Sequence, residues 1–203
     1  PLPVEAVLLD LEITLGERRL VATVVEKKQA ERDYEQAIDK GDTALMLERA
    51  GDGLCTLNLG NLMAGESATI RYRYAQLLRF EHGSVRLAIP TVIAPRYGNS
   101  KSARLHTHQV PTNDLAVAYP FSLILELEGE IAKGIVASPS HAISTKATAK
   151  GMRVALARDA FLDRDFVLAV GGLSGRSLAV MAKDGDRFVA LASFCADVPG
   201  LAD

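Results

Sequence analysis

No run of apolar residues in this chain approaches the ~18 that a membrane-spanning helix needs. Charge of one sign is also missing: 23 Lys and Arg stand against 25 Asp and Glu, a net charge of -2. Neither a polyanion-binding surface nor an acidic tail is therefore written into the composition, and no nucleic acid is expected as a partner. There are only 2 cysteines, Cys55 and Cys195. Each falls in a strand-like segment, where a lone cysteine behaves as a small apolar residue, and sequence does not decide whether they meet. No repeat of fixed period and no low-complexity tract is present.

What the chain has is aliphatic alternation. With 203 residues and 48% hydrophobic content it can bury the core of one large β domain or two small ones. Leu9, Leu11, Ile13 and Leu15 alternate with Asp10, Glu12 and Thr14, the pattern of a strand with one wet face. Gly16 supplies a turn, and Arg19 to Val25 reads as the return strand of a hairpin. In Ala68 to Tyr74 the alternation predicts that Ile70, Tyr72 and Tyr74 face the core while Arg71 and Arg73 face solvent as a hydrated sheet face. From Phe121 onward short apolar segments recur between Gly and Asp, as in a β-sandwich. The fold class expected is mainly β, antiparallel and sandwich-like, with one exception.

That exception is Glu26 to Gly41. Ala30, Tyr34, Ala37 and Ile38 stand at i, i+4, i+7 and i+8, which places them on one face of an amphipathic helix at about 26–40. No Ser, Thr, Asp or Asn caps its start, whereas Lys40 and Gly41 make a well-formed stop. The Tyr34 face is expected to pack on the first sheet.

Chemistry is sparse. His106 and His108 flank Thr107 in the polar stretch from Arg96 to Asp114, the longest without clear periodicity, which is an excursion or a functional loop. A His-x-His pair on extended backbone points both rings one way, but two ligands make a weak metal site. In Ser138-Pro139-Ser140-His141 a nucleophile and a base are neighbours. Adjacent strand residues point to opposite faces, so Ser140 and His141 are not expected to pair, no G-x-S-x-G elbow is present, and the segment reads as a turn entering a strand. Gly171, Gly172 and Gly175 lack the order of a phosphate loop and read as a hairpin connection. Asp184, Gly185 and Asp186 read as a turn, and Asp163 and Asp165 around Arg164 as structural ion pairing or capping.

Several segments together resemble a known family. Pro1-Leu2-Pro3 is followed by Glu5-Ala6-Val7, then by Val25-Glu26-Lys27 with Ala30, Tyr34, Ala37 and Gly41, by Ala44-Leu45 with Glu48, by Asn61-Leu62 and Gly65-Glu66, and by Tyr74 with Leu77. This run is similar to the vault protein inter-alpha-trypsin (VIT) domain of inter-alpha-trypsin inhibitor heavy chains, vault-associated proteins and bacterial relatives. Ala64 stands where the family pattern usually has proline, which should loosen that turn without altering the fold. Beyond the domain, Pro90-Thr91, Pro95-Arg96-Tyr97, Ser138 to His141 and Asp163 to Leu168 resemble the bacterial members.

The resemblance implies a VIT domain over 1–82 and, over 83–203, the β-rich region that precedes a von Willebrand factor A domain. No D-x-S-x-S adhesion motif lies in the chain, so no metal site and no cofactor carries over. The implied function is a noncatalytic protein-interaction or structural module with a protein partner, extracellular or in the cell envelope; the alternative is a carbohydrate- or metal-binding β module. Arg96, Tyr97, His106 and His108 form the candidate interaction surface. Glu26, Ala30, Tyr34, Ala37, Gly41, Gly65, Tyr74, Pro95, Ser138, His141 and Asp165 are expected to be structural. Because the chain opens on Pro1 without an initiator Met, it is expected to be a piece of something longer; the resemblance also implies first strands upstream of Pro1, and their absence would leave a sheet edge unpaired and open to self-association.

Overall fold

The alternating segment at the start forms β1 (Val7–Leu15), which pairs antiparallel with β2 (Arg18–Val21) across a two-residue turn and with β5 (Ala68–Ala75) on its other side. Gly16 adopts a φ of +54° in that turn, a conformation that costs a side-chain-bearing residue more. Leu11, Ile13 and Leu15 are buried as the alternation predicts. Leu9 is not: it is 60% exposed. A bulge between Leu8 and Asp10 leaves Leu9 without a partner on β5, and the extra residue shifts the inward set to Leu8, Leu11, Ile13 and Leu15.

The computed structural model describes residues 1–51, 54–92, 119–175 and 178–193. These fall into two units, 1–77 and 78–92 with 119–193. In the first, the helix α1 (Lys27–Asp39) runs into a hairpin of β3 (Ala44–Gly51) and β4 (Leu54–Gly60). Glu26 sits at the N-cap without a side-chain cap. The C-terminus closes as a Schellman motif: Gly41, at φ +80°, donates to the Ile38 carbonyl at 3.0 Å, and Asp42 donates to the Ala37 carbonyl at 2.9 Å.

The helix packs on the β3–β4 hairpin instead of the first sheet. A methyl group on Gly60, the last residue of β4, would overlap Ile38 Cδ1 and stand 2.9 Å from Tyr34 Oη. Lys27 Nζ reaches Glu48 on β3 at 2.9 Å. Ala30, Tyr34, Ala37 and Ile38 are half-buried there, because a two-stranded hairpin is too narrow to cover a whole helix face.

The second unit is a β-sandwich. One layer orders β10 (Ile135–Ala137), β14 (Phe166–Gly171), β7 (Ser84–Ile89) and β6 (Phe80–Glu81); the other orders β11 (Ile143–Thr148), β12 (Gly151–Leu156) and β9 (Ile124–Glu128). Val85, Phe166, Leu168 and Val170 from the first layer meet Leu127 and Val154 from the second, with Leu173 beside them. Phe166 and Val154 are fully buried. β8 (Pro120–Phe121) pairs with β13 (Ala160–Phe161) at the side. The glycines 171, 172 and 175 do not connect a hairpin, since β14 pairs with β10 and β7 while β15 (Leu178–Asp184) pairs with β16 (Arg187–Ser193). Gly185 in the turn between those two has the positive φ expected of it.

Candidate functional site

Three of the motifs that stand far apart in sequence converge in the second unit. Asp165, just ahead of β14, accepts the backbone N–H of Thr91 at 3.1 Å and of Val92 at 3.4 Å. The Thr91 hydroxyl donates to the Arg164 carbonyl at 2.6 Å. Pro90-Thr91 and Asp163 to Leu168 are thus two sides of one junction. Ser138 to His141 is the third, joined to β14 where the Ser140 hydroxyl accepts the Val167 N–H at 2.8 Å.

Ser140 and His141 do pair. Ser140 Oγ lies 2.9 Å from His141 Nδ1. The expectation of opposite faces fails because residues 139–141 form a bend, and strand β11 begins only at Ile143. Ser138 Oγ accepts the His141 N–H at 3.2 Å and lies 3.4 Å from Ser140 Oγ, which pins the bend locally. The His141 ring sits between Phe121, edge-on at 5.4 Å, and Phe166, tilted at 5.6 Å.

The electrostatics favour the neutral form of this imidazole. Burial pushes its pKa below 6.5, nearby Arg164 pushes the same way, and Asp163 opposes them. Nε2 is closed off from solvent and has no hydrogen-bond partner. The Ser140 hydroxyl is held by Val167 and His141, so the arrangement works as a latch between the bend and β14. Beside it lies a polar cavity of about 230 Å³ lined by Ser140, His141, Arg158, Asp159, Asp163 and Arg164. Arg164 clasps Asp163 through two hydrogen bonds of 3.1 and 2.8 Å, which holds that carboxyl below its ordinary value.

The remaining candidates sort by position. Tyr34, Gly41 and Gly65 serve the helix and its neighbouring turn, and Tyr74 stacks on Tyr72 at 6.5 Å with its hydroxyl pKa raised by burial. Ile70 and Tyr72 are 45% and 49% exposed and line an apolar cavity of about 210 Å³ with Leu8, Leu11, Leu47 and Leu57, contrary to the buried face expected of them. The β3–β4 hairpin and β5 do not close over each other there. Half-buried Cys55 lies on the same cavity. Pro95, Arg96, Tyr97, His106, His108 and Cys195 lie outside the described residues. Sequence reasoning missed the Ser140–His141–Val167 latch, and the Ser-Pro-Ser run, which disfavours a regular strand, was the available signal.

Comparison with known proteins agrees with this anatomy. Residues 1–74 match the family described as Vault protein inter-alpha-trypsin domain. Von Willebrand factor A domain-containing protein 5A of Homo sapiens is 29% identical over 185 residues, which cover 84% of this chain and 23% of that protein. Protein mono-ADP-ribosyltransferase PARP4 of Mus musculus is 21% identical over 151 residues, 73% of this chain and 8% of that protein. The chain therefore spans less than a quarter of the length of either relative. The stretch from Pro1 to Tyr74 is a vault protein inter-alpha-trypsin domain.

Proposed function

We propose that the chain is a noncatalytic protein-interaction module of a protein that also carries a von Willebrand factor A domain, acting in adhesion or extracellular assembly at the cell envelope. The observation that carries this reading is the match of residues 1–74 to the VIT family together with a relative whose name declares a von Willebrand factor A domain. The noncatalytic part is supported by the Ser140–His141 pair, whose hydroxyl and imidazole hold the bend against β14. Capture on the immobilised chain tests the proposal, with envelope and cytosolic fractions compared by mass spectrometry. Retention of a defined envelope protein, lost when the chain is heat-unfolded, is the expected result. Retention of none from either fraction, or turnover of an acyl ester lost in Ser140→Ala, counts against it.

A further inference from the structure

The outer edge of β5 has no ladder partner among the described residues, for the strand pairs only with β1. Its two faces differ in chemistry. On one, Ile70 and Tyr72 look into the apolar cavity of the first unit. On the other, Arg71 and Arg73 are 72% and 75% exposed and lean toward β1, where Arg71 meets Glu12 at 3.5 Å and Arg73 meets Asp10. Glu12 is shared with Arg19 of β2. Read across the sheet, the sign runs cation on β2, anion on β1, cation on β5, and then the edge. Three arginines here face two carboxylates, so the free edge carries a surplus of positive charge.

We infer that this edge binds an extended peptide segment whose side chains alternate between acidic and apolar, added as a fourth strand. The argument is cross-strand complementarity. Residues directly opposite Arg71 and Arg73 would share their face, where a carboxylate is favourable and a cation is not. The residue opposite Tyr72 would lie over the cavity, whose volume suits one large aliphatic or aromatic side chain. Main-chain hydrogen bonds to the β5 edge would supply the affinity and the alternating side chains the selectivity. Charged side chains on an edge strand resist indiscriminate pairing, so the two arginines select against cationic strands and leave an acidic one as the favoured occupant.

The same chemistry disfavours a second copy as the occupant. Antiparallel pairing of β5 with itself about Tyr72, one of the registers that keep both apolar faces on one side, sets Arg71 opposite Arg73. Two like-charged pairs then sit at the centre of the ladder. Self-association through this edge is thereby disfavoured relative to an acidic strand. The inference rests on the protein-interaction reading and narrows its partner.

Labelled ten-residue peptides that alternate leucine with glutamate, with lysine or with serine test it by fluorescence anisotropy on the full chain at low salt. The glutamate peptide is expected to bind about tenfold tighter than the lysine peptide and to protect β5 amides from hydrogen exchange. N-methylation of alternate peptide nitrogens should abolish binding without touching the protein, and the double variant Arg71→Glu, Arg73→Glu should prefer lysine if its melting curve stays cooperative. Equal affinity for the charged peptides, binding that survives N-methylation, or protection on another strand overturns the assignment. So does a concentration-dependent dimer protected at β5. If the peptides fail while envelope capture succeeds, the interaction module stands and only this edge assignment falls.

Discussion

The Asn61 side-chain amide donates to the carbonyl of Ile38 at 3.2 Å and to that of Asp42 at 2.9 Å, tying the residue after β4 to both sides of the helix C-terminus. Ile38 lies in the last turn of the helix, where its carbonyl also accepts the Gly41 N–H, and Asp42 lies just beyond the helix end. Asn61 itself has a φ of +56°, in the left-handed region that asparagine tolerates better than most residues. One side chain thus closes α1 and reverses the chain after the hairpin.

Two substitutions separate these roles. Asn61→Gly keeps the backbone conformation and loses the two hydrogen bonds, which should cost about 1 kcal/mol. Asn61→Ala adds the left-handed penalty, roughly 1–2 kcal/mol more. Urea denaturation measures both; equal losses would remove backbone strain from the account.

Gly60 is where the helix rests on the hairpin. Gly60→Ala would push a methyl into Ile38 and Tyr34, so the helix must shift or the side chains leave their rotamers, at a cost of about 1–3 kcal/mol. Tyr34→Ala should cost roughly 1–3 kcal/mol, below the ~3–5 kcal/mol of a fully buried aromatic, because the ring is half-exposed. The double variant should cost less than the sum of the two, since both act on one contact. Strict additivity would contradict the packing described here.

The turn Met63–Glu66 should be improvable. Glu66 N–H returns to the Met63 carbonyl at 3.1 Å and Gly65 has a φ of +83°, the signature of a type II turn with Ala64 at the position that proline prefers. Ala64→Pro should raise stability by about 0.4–1 kcal/mol by restricting the unfolded chain. Unchanged or lower stability would show that Ala64 does not hold the required φ.

His141 should make the second unit acid-sensitive. Its folded pKa lies below the ordinary 6.5, so the unfolded chain takes up a proton first as the pH falls. The neutral ring's contribution is whole above about pH 6.5 and is lost progressively as the pH drops from there toward the depressed folded value. Asp163, also depressed, acts in a separate and more acidic window. His141→Phe should flatten the dependence of the denaturation midpoint as the pH falls below about 6.5, and an unchanged slope would rule the imidazole out as its source.

Alternation within a strand was legible because its cause is local: side chains of an extended backbone point to opposite sides, so Leu11, Ile13 and Leu15, and likewise Phe166, Leu168 and Val170, announce a buried face in one dimension. The helix was legible for the same reason, as were Gly41 and Gly185, whose turns need a positive φ. Leu9 shows where local reasoning stops. Whether a bulge interrupts a ladder depends on the partner strand, and β5 lies more than fifty residues away in sequence.

The candidate site was half legible. Its segments, Thr91, Ser138 to His141 and Asp165, could be marked individually, but their convergence is set by the pairing of β7 with β14 and the hydrogen bond from Val167 to Ser140. By itself the sequence determined which stretches are strands, which one is a helix and which family the first 74 residues belong to, since these follow from side-chain spacing and local backbone preference. Only the tertiary structure decided that α1 rests on the β3–β4 hairpin, that Ser140 and His141 form a latch, and that β5 keeps a cationic edge over an apolar cavity. Each of those is a relation between strands distant in sequence, and long-range packing, unlike periodicity, is not encoded at any single position.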